Sequence, residues 1–457
     1  MKIIILGAGQ VGTSVLASLC SEDNDIVVVD KQTSVLRELH DRFDIGTVQG
    51  NAAHPTVLKR AGADDTDMLI AVTSDDETNM LACQISHTLF NIPKKIARVR
   101  AIEYLSYPEI FSKDGVPIDV VISPEQIVTQ MIERLLQYPG ASQVLDFAEG
   151  QIRLVSVRAL TGGPLVGREI RELHQHMPNV HARITAIFRN ARPIIPNGRQ
   201  TIEHGDEVFF MASSEEISDV MSELRELDKP YRRLMFAGGG HVGKRVAQAL
   251  EHRYQVKVIE KNADRAKKIA GDLTNTVVLL GDASDKELLL SENIETTDIF
   301  CAITNDDEAN ILSAMLAKRL GARRVISLVN KAAYADIVDP NQIDLVISPQ
   351  QSTIGALLRH IRKGDVVQVH SLRHGAAEAL EAVAHGTPGK SKVIGIPIDR
   401  IPIPPGVVMG ALVRDKEVIQ VHHDTVIEEG DHVIMFLLDK KVIPIIEQMF
   451  QGDSQRG

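Results

Sequence analysis

The stretch Gly7-Ala8-Gly9-Gln10-Val11-Gly12 lies between an apolar run and an apolar-periodic segment, and it returns as Gly238-Gly239-Gly240-His241-Val242-Gly243. This Gly-x-Gly-x-x-Gly spacing is typical of the turn between the first strand and the first helix of a dinucleotide-binding fold. Further matches follow at nearly the same offset, and they are Asp30 with Glu260, Gly50 with Gly281, Thr73 with Thr304, and Asn79 with Asn310. The sequence therefore predicts a duplicated nucleotide-binding domain.

Strand-like and helix-like segments alternate after each glycine motif. In the first copy the predicted strands are residues 2–6, 25–30, 46–49, 68–73 and 95–100. In the second copy they are residues 234–237, 255–260, 276–280, 299–304 and 324–329. Such alternation is typical of βαβ units. We predict an α/β protein with two Rossmann-like, doubly wound parallel sheets.

A smaller module follows each copy. An arginine and an Ile-Glu-x-Gly-Asp phrase recur 225 residues apart, at Arg189 with Asp206 and at Arg414 with Asp431. A Gly-Asp turn between short strands, followed by a final helix, favours a small α+β domain. The tandem duplication then gives four domains, at residues 1–140, 141–228, 229–363 and 364–457.

The composition of the chain indicates where the protein acts and which partners it is expected to bind. A net charge of −11 opposes binding to a nucleic-acid backbone. The three cysteines, Cys20, Cys83 and Cys301, show no paired spacing, so we interpret them as buried thiols in a reducing cytoplasm. Residues 3–20 carry no charge, yet their counterpart at 234–250 contains Lys244 and Arg245 and indicates strand, turn and helix. Any membrane role is expected to come through a partner.

The glycine motifs and the acids that follow them indicate a nucleotide ligand. The first glycine permits the turn, the second lets a pyrophosphate approach the backbone, and the third lets the helix pack closely. The helix amino terminus then faces the phosphates. Asp30 and Glu260 end the second strands and are expected to accept hydrogen bonds from ribose hydroxyls. Because a carboxylate repels a 2′-phosphate, NAD(H) is favoured over NADP(H).

Further contacts are expected at the carboxyl ends of the third to fifth strands. The candidates are Gly50, Asn51, Thr73 and Ser74 in the first copy and Gly281, Asp282, Thr304 and Asn305 in the second. Arg98 and Arg100 add guanidinium groups, whereas aligning Lys94-Lys95 with Arg323-Arg324 puts Ser327 and Val329 at those positions. We hypothesise that the first site binds a polyphosphate more tightly. The alternative is that these arginines pair with nearby surface acids.

Metal binding is the weaker interpretation of the acidic and histidine clusters. The runs Ser74-Asp75-Asp76-Glu77 and Asn305-Asp306-Asp307-Glu308 are better interpreted as caps of the next helix. The histidine pairs are His174 with His176, His370 with His374, and His422 with His423. None has the further ligand spacing of a zinc site. No metal is predicted.

Catalytic motifs are missing beside both sites. The sequence has no Tyr-x-x-x-Lys pair, no Gly-x-Ser-x-Gly elbow and no Walker lysine. The second nucleotide fold stands where a two-domain dehydrogenase has its substrate domain. We therefore predict a nucleotide sensor and no enzyme. The alternatives are an NAD-dependent oxidoreductase with unrecognised catalytic residues and a free sensor without a membrane partner.

The order of these motifs resembles the domains that regulate potassium conductance, the RCK or KTN family. The tandem layout is similar to the cytosolic subunits of bacterial Trk potassium-uptake systems. The resemblance implies a peripheral protein on the cytoplasmic face of the bacterial inner membrane. It implies a homo-oligomeric ring, such as a tetramer, on a potassium-translocating subunit of the TrkH or TrkG type.

The same resemblance implies NAD(H), and also ATP or ADP, as ligands of the glycine-rich sites. The first site would contain Gly7 to Gly12, Asp30, Thr73, Ser74 and Arg98. The second would contain Gly238 to Gly243, Glu260, Thr304 and Asn305. The second copy departs from the pattern, because it has Glu for Asp at the ribose position and lacks the arginine. Its ligand is therefore left open.

Overall fold

The computed structural model describes residues 1–20, 24–190, 192–339, 341–361, 365–372, 377–419 and 421–450. Its contacts divide the chain into two compact units, residues 1–127 with 352–357, and residues 128–351 with 358–457. The first unit contains one parallel sheet, and the second contains another parallel sheet and two antiparallel sheets. The four-domain boundaries stay a prediction, and the boundary at residue 363 lies outside the described residues.

The first parallel sheet has six strands in the order β3-β2-β1-β4-β5-β6. They are β1 (Lys2–Leu6), β2 (Asp25–Asp30), β3 (Gly46–Gln49), β4 (Met68–Ala71), β5 (Lys94–Arg98) and β6 (Val120–Ile122). The helices are α1 (Gln10–Leu19), α2 (Thr33–Arg42), α3 (Pro55–Arg60), α4 (Asp76–Phe90), α5 (Ile102–Leu105) and α6 (Pro124–Gln137). The chain order reverses between β1 and β4, which is where ligands bind in such sheets.

The first antiparallel sheet has the order β10-β9-β11-β8-β7. Its strands are β7 (Ala141–Phe147), β8 (Ile152–Arg158), β9 (Arg183–Arg189), β10 (Arg192–Ile194) and β11 (Glu207–Ser213). The helices in this part of the chain are α7 (Glu172–His176) and α8 (Ile217–Leu224). The predicted small α+β arrangement is confirmed.

The second parallel sheet repeats the first, with the order β14-β13-β12-β15-β16-β17. Its strands are β12 (Arg233–Ala237), β13 (Gln255–Glu260), β14 (Val277–Leu280), β15 (Ile299–Ala302), β16 (Arg324–Leu328) and β17 (Leu345–Ile347). The helices are α9 (His241–Leu250), α10 (Ala263–Asp272), α11 (Lys286–Ser291), α12 (Asp307–Arg319), α13 (Ala332–Ile337) and α14 (Pro349–Ile361). The prediction of two doubly wound parallel sheets is therefore confirmed.

The second antiparallel sheet has the order β18-β19-β22-β20-β21. Its strands are β18 (Val366–Leu372), β19 (Ala377–Val383), β20 (Val407–Arg414), β21 (Glu417–Ile419) and β22 (His432–Leu437), and α15 (Ile443–Phe450) follows. Strand by strand, this sheet has the connectivity of the first antiparallel sheet. The duplication thus extends to the small modules.

The two antiparallel sheets pack against each other. One apolar cluster joins residues of both sheets, and Phe209 is a member of it. The Phe209 ring lies 5.5 Å from the Phe188 ring in its own sheet and 5.4 Å from the Phe436 ring in the other, measured between centroids. Sheet-on-sheet packing of this kind buries the inner face of each sheet.

An ion pair between a partly exposed arginine and a buried aspartate recurs in both small modules. Arg189 donates from Nε and Nη2 to the Asp206 carboxylate, each at 2.8 Å, and Arg414 binds Asp431 with the same two distances. Asp206 and Asp431 also accept the backbone amides of Glu203 and Glu428. The aspartate of each repeated Gly-Asp phrase therefore binds both the backbone of its own turn and an arginine side chain.

Two of the three cysteines are buried as predicted. Burial raises the pKa of the Cys83 thiol to about 12 and raises the pKa of Cys301 further still. Cys20 is partly exposed, so the interpretation of three buried thiols is wrong for this residue. Across the described ranges, no helix combines the length and the apolar character needed to cross a bilayer.

Candidate functional site

The first glycine turn is shaped by close contacts at two of its three glycines. Gly7 has φ +104°, and a Cβ there would lie 2.9 Å from the Thr73 Cα. A Cβ at Gly12 would lie 1.9 Å from the Gly7 carbonyl oxygen, whereas one at Gly9 would meet nothing within 4 Å. Since no side chain caps α1, the amino end of this helix faces open space at Gly9. This is the arrangement that a phosphate requires.

The second turn has the same geometry with one difference. Gly238 has φ +109°, and a Cβ at Gly243 would lie 1.9 Å from the Gly238 oxygen. A Cβ at Gly240 would again meet nothing, but one at Gly239 would lie 2.4 Å from the Ile269 Cδ1. The first copy has Ala8 at this position. The second glycine turn therefore packs closely against Ile269 of α10, at the position where the first turn has the methyl group of Ala8.

The acid at the end of the second strand differs in its environment between the copies. Asp30 is half-buried and accepts the backbone amides of Ala8, at 2.7 Å, and Gln32, at 2.8 Å. A carboxylate offers about four acceptor positions. Two of them therefore stay available to ribose hydroxyls.

Glu260 is only 3% exposed and has an additional cationic neighbour. Its oxygens accept the amides of Gly239, at 2.9 Å, and Asn262, at 2.8 Å. The Arg265 guanidinium lies 3.4 Å from both oxygens. Glu260 thus has less acceptor capacity for a ligand than Asp30.

A buried asparagine joins the ends of two neighbouring strands at each site. The Asn79 Oδ1 accepts the Thr73 amide at 3.0 Å and the Thr73 hydroxyl at 2.7 Å, while its Nδ2 donates to the Arg98 carbonyl at 2.9 Å. Asn310 makes the corresponding bonds to Thr304 and to the Leu328 carbonyl. The sequence identified these asparagines only as matches between the copies.

We expect Asn79→Ala to lower the free energy of unfolding of the first unit by about 2–3 kcal/mol, because it leaves buried backbone groups without partners. The expected change also includes weaker nucleotide binding at the first site, since Thr73 loses its support. Urea unfolding and calorimetric titration measure the two effects. Asn310→Ala is the matched control and should leave the first site intact. Equal loss of first-site affinity in both variants would contradict the assignment.

The acidic runs after the fourth strands cap helices, as predicted. Asp75 accepts the Thr78 amide and Asp306 accepts the Ala309 amide at the starts of α4 and α12. The next acid has another role, which the sequence did not indicate. Asp76 accepts the amides of Arg100 and Ala101, each at 2.8 Å, and it thereby ties the segment after β5 to the site loop.

Asp307 makes the corresponding contacts in the second copy, where it accepts the amides of Asn330 and Lys331. Within the described ranges, no group of three or more His, Cys, Asp or Glu residues is arranged to hold a metal ion. Of the histidine pairs, His176 bonds Glu223 at 2.8 Å and His370 packs edge-on against Phe147. His374 lies outside the described residues.

The two arginines of the first copy lie beside the site loop. Arg98 donates from Nη2 to the Thr73 carbonyl at 2.5 Å, and Arg100 donates to the Ser74 carbonyl and approaches Asp76 at 3.5 Å. Burial, reinforced by the charge of Arg100, lowers the pKa of Arg98. The buried Arg98 Nε has no hydrogen-bond partner in the part of the chain that the structure describes. An anion at this edge of the sheet would therefore lie beside an Arg98 guanidinium whose hydrogen-bond donors are not all used.

The strand register corrects the alignment of the fifth strands by one residue. Arg98 pairs with Ile122, and the residue that pairs with the matching Ile347 is Leu328. Leu328, not Ser327, is therefore the counterpart of Arg98, and Asn330 is the counterpart of Arg100. The alignment was wrong because it matched the basic pair Lys94-Lys95 with the basic pair Arg323-Arg324, whereas the register matches Lys94 with Arg324. The conclusion that the two sites differ is unchanged, because the second copy has no arginine at this position of its fifth strand. Its Leu328 is buried in an apolar cluster.

The remaining candidates shape the loop after the third strand. Gly50 and Gly281 pack closely against the helix that follows, because a Cβ would lie 2.5 Å from the Val57 or Leu288 side chain. Asn51 accepts the Ala53 amide, and Asp282 accepts the amide and the hydroxyl of Ser284, which lowers the pKa of Asp282.

The Gly50 and Gly281 amides bond the carbonyls of Asp30 and Glu260, which brings these loops to the edge that carries the glycine turns. Ser74, Asn305 and His241 are exposed at the same edges.

Comparison with known families supports the duplicated arrangement. The TrkA-N domain model matches residues 3–124 and again residues 234–349. The TrkA-C domain model matches residues 154–225. The matched ranges contain both parallel sheets and most of the first antiparallel sheet.

A curated relative and two solved structures extend this comparison. "Trk system potassium uptake protein TrkA" of Halomonas elongata is 56% identical over 451 residues, which cover 99% of each chain. The structure described as "GsuK channel bound to NAD" is 16% identical with a TM-score of 0.62, covering 98% of this chain and 79% of that chain. The structure described as "Crystal structure of the GsuK bound to ADP" is 16% identical with a TM-score of 0.50, covering 78% and 68%.

At such low identity the GsuK structures are evidence for the fold alone. The Halomonas name describes a potassium uptake protein and not an enzyme, which confirms the prediction of a protein without catalytic function. Two matches of the TrkA-N model and a relative that is 56% identical over its full length show that the chain belongs to the TrkA family of Trk-system potassium uptake proteins.

Proposed function

We propose that the chain is the nucleotide-binding regulatory subunit of a Trk-type potassium-uptake system, with NAD(H) as a ligand. The observation that carries the proposal is the first glycine turn, in which open space at Gly9 lies next to an Asp30 carboxylate with free acceptor positions. Membership of a potassium-uptake family supports the regulatory role. The NAD-bound GsuK channel, which shares the fold, supports the ligand class.

The ligand is assigned to the first site by the chemistry of each group. Ribose hydroxyls bond Asp30, the pyrophosphate lies over Gly9 at the start of α1, and Arg98 and Ser74 contact its far end. Asp30 disfavours a 2′-phosphate, so NAD(H) binds better than NADP(H). ATP and ADP share the ribose and the phosphates and are further candidates, which the ADP-bound GsuK structure supports.

The two sites are proposed to differ in affinity. At the first site Arg98 adds a cation, whereas the second site has Leu328 there and a Glu260 that is already paired with Arg265. The second site consists of Gly238 to Gly243, Glu260, Asp282, Thr304 and Asn305. A polyphosphate therefore binds more tightly to the first site.

The partner is proposed to be a potassium-translocating membrane subunit of the TrkH or TrkG type. A homo-oligomeric ring of the chain, such as a tetramer, lies against it on the cytoplasmic face of the inner membrane. A ligand can shift the membrane subunit between a closed and an open state only if the ring binds it more tightly in one of the two states. A tenfold difference in affinity supplies about 1.4 kcal/mol per site. Several sites in one ring add their contributions.

Reconstitution of the full chain with its membrane subunit in potassium-loaded vesicles tests the proposal. We expect potassium flux to change when NAD, NADH, ATP or ADP is added, and the change to require the chain. Potassium flux that stays the same with and without each of the four nucleotides would overturn the regulatory role. Turnover of hydride between NAD(H) and any small substrate would favour the oxidoreductase alternative instead.

Replacing Arg98 by leucine, the residue of the second copy, tests the asymmetry. We expect ADP to bind the first site about 10- to 100-fold more weakly, since a charge-assisted hydrogen bond contributes about 1.5–3 kcal/mol. Calorimetric titration of the full chain measures the affinities of both sites. Arg37→Leu removes an exposed cation from α2 and serves as the control. Unchanged ADP affinity in Arg98→Leu would refute the role of this arginine.

A further inference from the structure

The amino edge of the second parallel sheet carries a cavity of about 670 Å³, which is within the range of small-molecule sites. This edge is opposite to the one with the glycine turn, because the strands begin here. The lining residues that matter are Arg233, Met235, Tyr254, Asn275, Val277 and Thr296. All of them belong to the second unit.

The first copy closes the corresponding corner with an ion pair. There, Lys2 at the start of β1 forms a salt bridge with Asp65, which ends the short turn before β4. The register puts Arg233 at the position of Lys2, and the turn at Ile294–Thr296 puts Thr296 at the position of Asp65. The second copy therefore has a cation at this corner, Arg233, but no carboxylate at the position of Asp65.

Arg233 has no replacement partner within the described ranges. It is exposed, and no described carboxylate forms an ion pair with its guanidinium. Asp298 accepts the backbone amides of Arg232 and Arg233, and its side chain contacts the Arg323 guanidinium. The cavity thus has on its wall one cation, Arg233, that forms no ion pair with a described carboxylate.

The other charged groups of the cavity are all bonded to protein partners. Lys257 donates to the carbonyl and the carboxylate of Glu292, at 2.9 and 2.8 Å. Glu251 accepts the amides of Thr274 and Asn275 and the Thr276 hydroxyl. These groups are already committed to protein partners, so Arg233 is the group that would recognise a ligand charge.

The remaining walls are apolar or weakly polar. Met235 is buried, Tyr254 is half-buried, and Val277 is 52% exposed although it lies on a strand. In the first copy the position of Val277 is Gly46. A ligand body that covers Val277 and the Tyr254 ring would remove apolar surface from water.

We propose that this cavity binds a small organic anion with an apolar body, such as an aromatic carboxylate. Its carboxylate accepts two hydrogen bonds from the Arg233 guanidinium, which is the geometry that arginine favours. The apolar body packs on Val277 and Tyr254, which line the same cavity. The ligand thereby takes the place that Asp65 occupies in the first copy.

Fluorescence anisotropy of 2-naphthoate with the full chain tests the proposal. We expect saturable binding of one naphthoate per chain, and weaker binding of the neutral 2-naphthalenemethanol. Arg233→Gln should weaken naphthoate binding at least tenfold, which corresponds to about 1.4 kcal/mol. Thr296→Asp should do the same by restoring the ion pair of the first copy, and it changes only an exposed position.

Lys2→Gln alters the equivalent residue of the first copy and should leave naphthoate binding unchanged. ADP binding, measured on the same variants, should also be unchanged, because the glycine turns lie at the opposite edge. The proposal is overturned if naphthoate shows no saturable binding up to millimolar concentration. It is equally overturned if both Arg233→Gln and Thr296→Asp, with unfolding curves like that of the parent, bind it normally.

Discussion

Gly12→Ala is expected to lower the free energy of unfolding of the first unit by about 3 kcal/mol, at the upper end of the usual cost of overpacking. The added Cβ would lie 1.9 Å from the Gly7 carbonyl oxygen, which belongs to the turn itself and not to a flexible side chain. The turn and α1 must therefore separate. Urea unfolding of the full chain, followed by far-ultraviolet circular dichroism, measures the loss.

Gly9→Ala is the matched control for this prediction. A Cβ at Gly9 meets nothing within 4 Å, and its φ of −73° and ψ of −172° suit alanine. We expect stability near that of the parent, together with weaker nucleotide binding, because the methyl group occupies the space proposed for the pyrophosphate. If Gly9→Ala were as unstable as Gly12→Ala, the division into packing and ligand glycines would be wrong.

Asp30→Ala is expected to weaken NAD(H) binding at the first site by at least about 100-fold. Two hydrogen bonds from ribose hydroxyls to a carboxylate are lost, and hydrogen bonds to charged groups contribute about 1.5–3 kcal/mol each. The Ala8 and Gln32 amides also lose their acceptor, so the turn becomes less ordered. Calorimetric titration gives the affinity, and growth at limiting potassium, which we expect to be impaired, gives the consequence for transport.

Glu260→Ala is the matched change in the second copy and should leave first-site binding intact. Its effect on ligand binding is expected to be smaller, since Glu260 is buried and paired with Arg265. Normal growth of Asp30→Ala despite lost binding would mean that the first site does not control transport. Loss of growth with normal binding would mean that Asp30 affects transport by a route other than ligand affinity.

The parallel sheets were predictable because their signals are local. Glycines at fixed spacing, acids at strand ends and apolar runs of strand length each follow from contacts between near neighbours in sequence. The predicted strands 2–6, 25–30, 46–49 and 255–260 agree with the structure in both bounds. The candidate residues at the two carboxyl edges were identified by the same local patterns.

The antiparallel sheets were less predictable because their strands break the alternation of a regular strand. The register shifts between Ala141 and Gln143 in β7, and again between Val366 and Gln368 in β18. A bulge moves the following side chains to the other face, so the period of two is lost. The partners of these strands are also distant in sequence.

Buried polar residues whose partners are backbone atoms were missed for a related reason. Asn79 and Asp76 bond the main chain at Arg98, Arg100 and Ala101, which only the folded sheet brings close. No residue pattern encodes such contacts. The error that matched Arg98 with Ser327 arose in the same region, because the alignment followed two pairs of basic residues and not the register of the apolar strand residues.

The face-to-face packing of the two antiparallel sheets has a consequence for how the protein behaves on dilution. Because both sheets belong to one polypeptide, their association is a first-order process whose equilibrium does not depend on protein concentration. The connection between them contains the folded second parallel sheet, and it keeps the two sheets at an effective concentration that dilution does not change. Lowering the protein concentration can therefore separate one chain from another, while the contact around Phe209 persists in each chain.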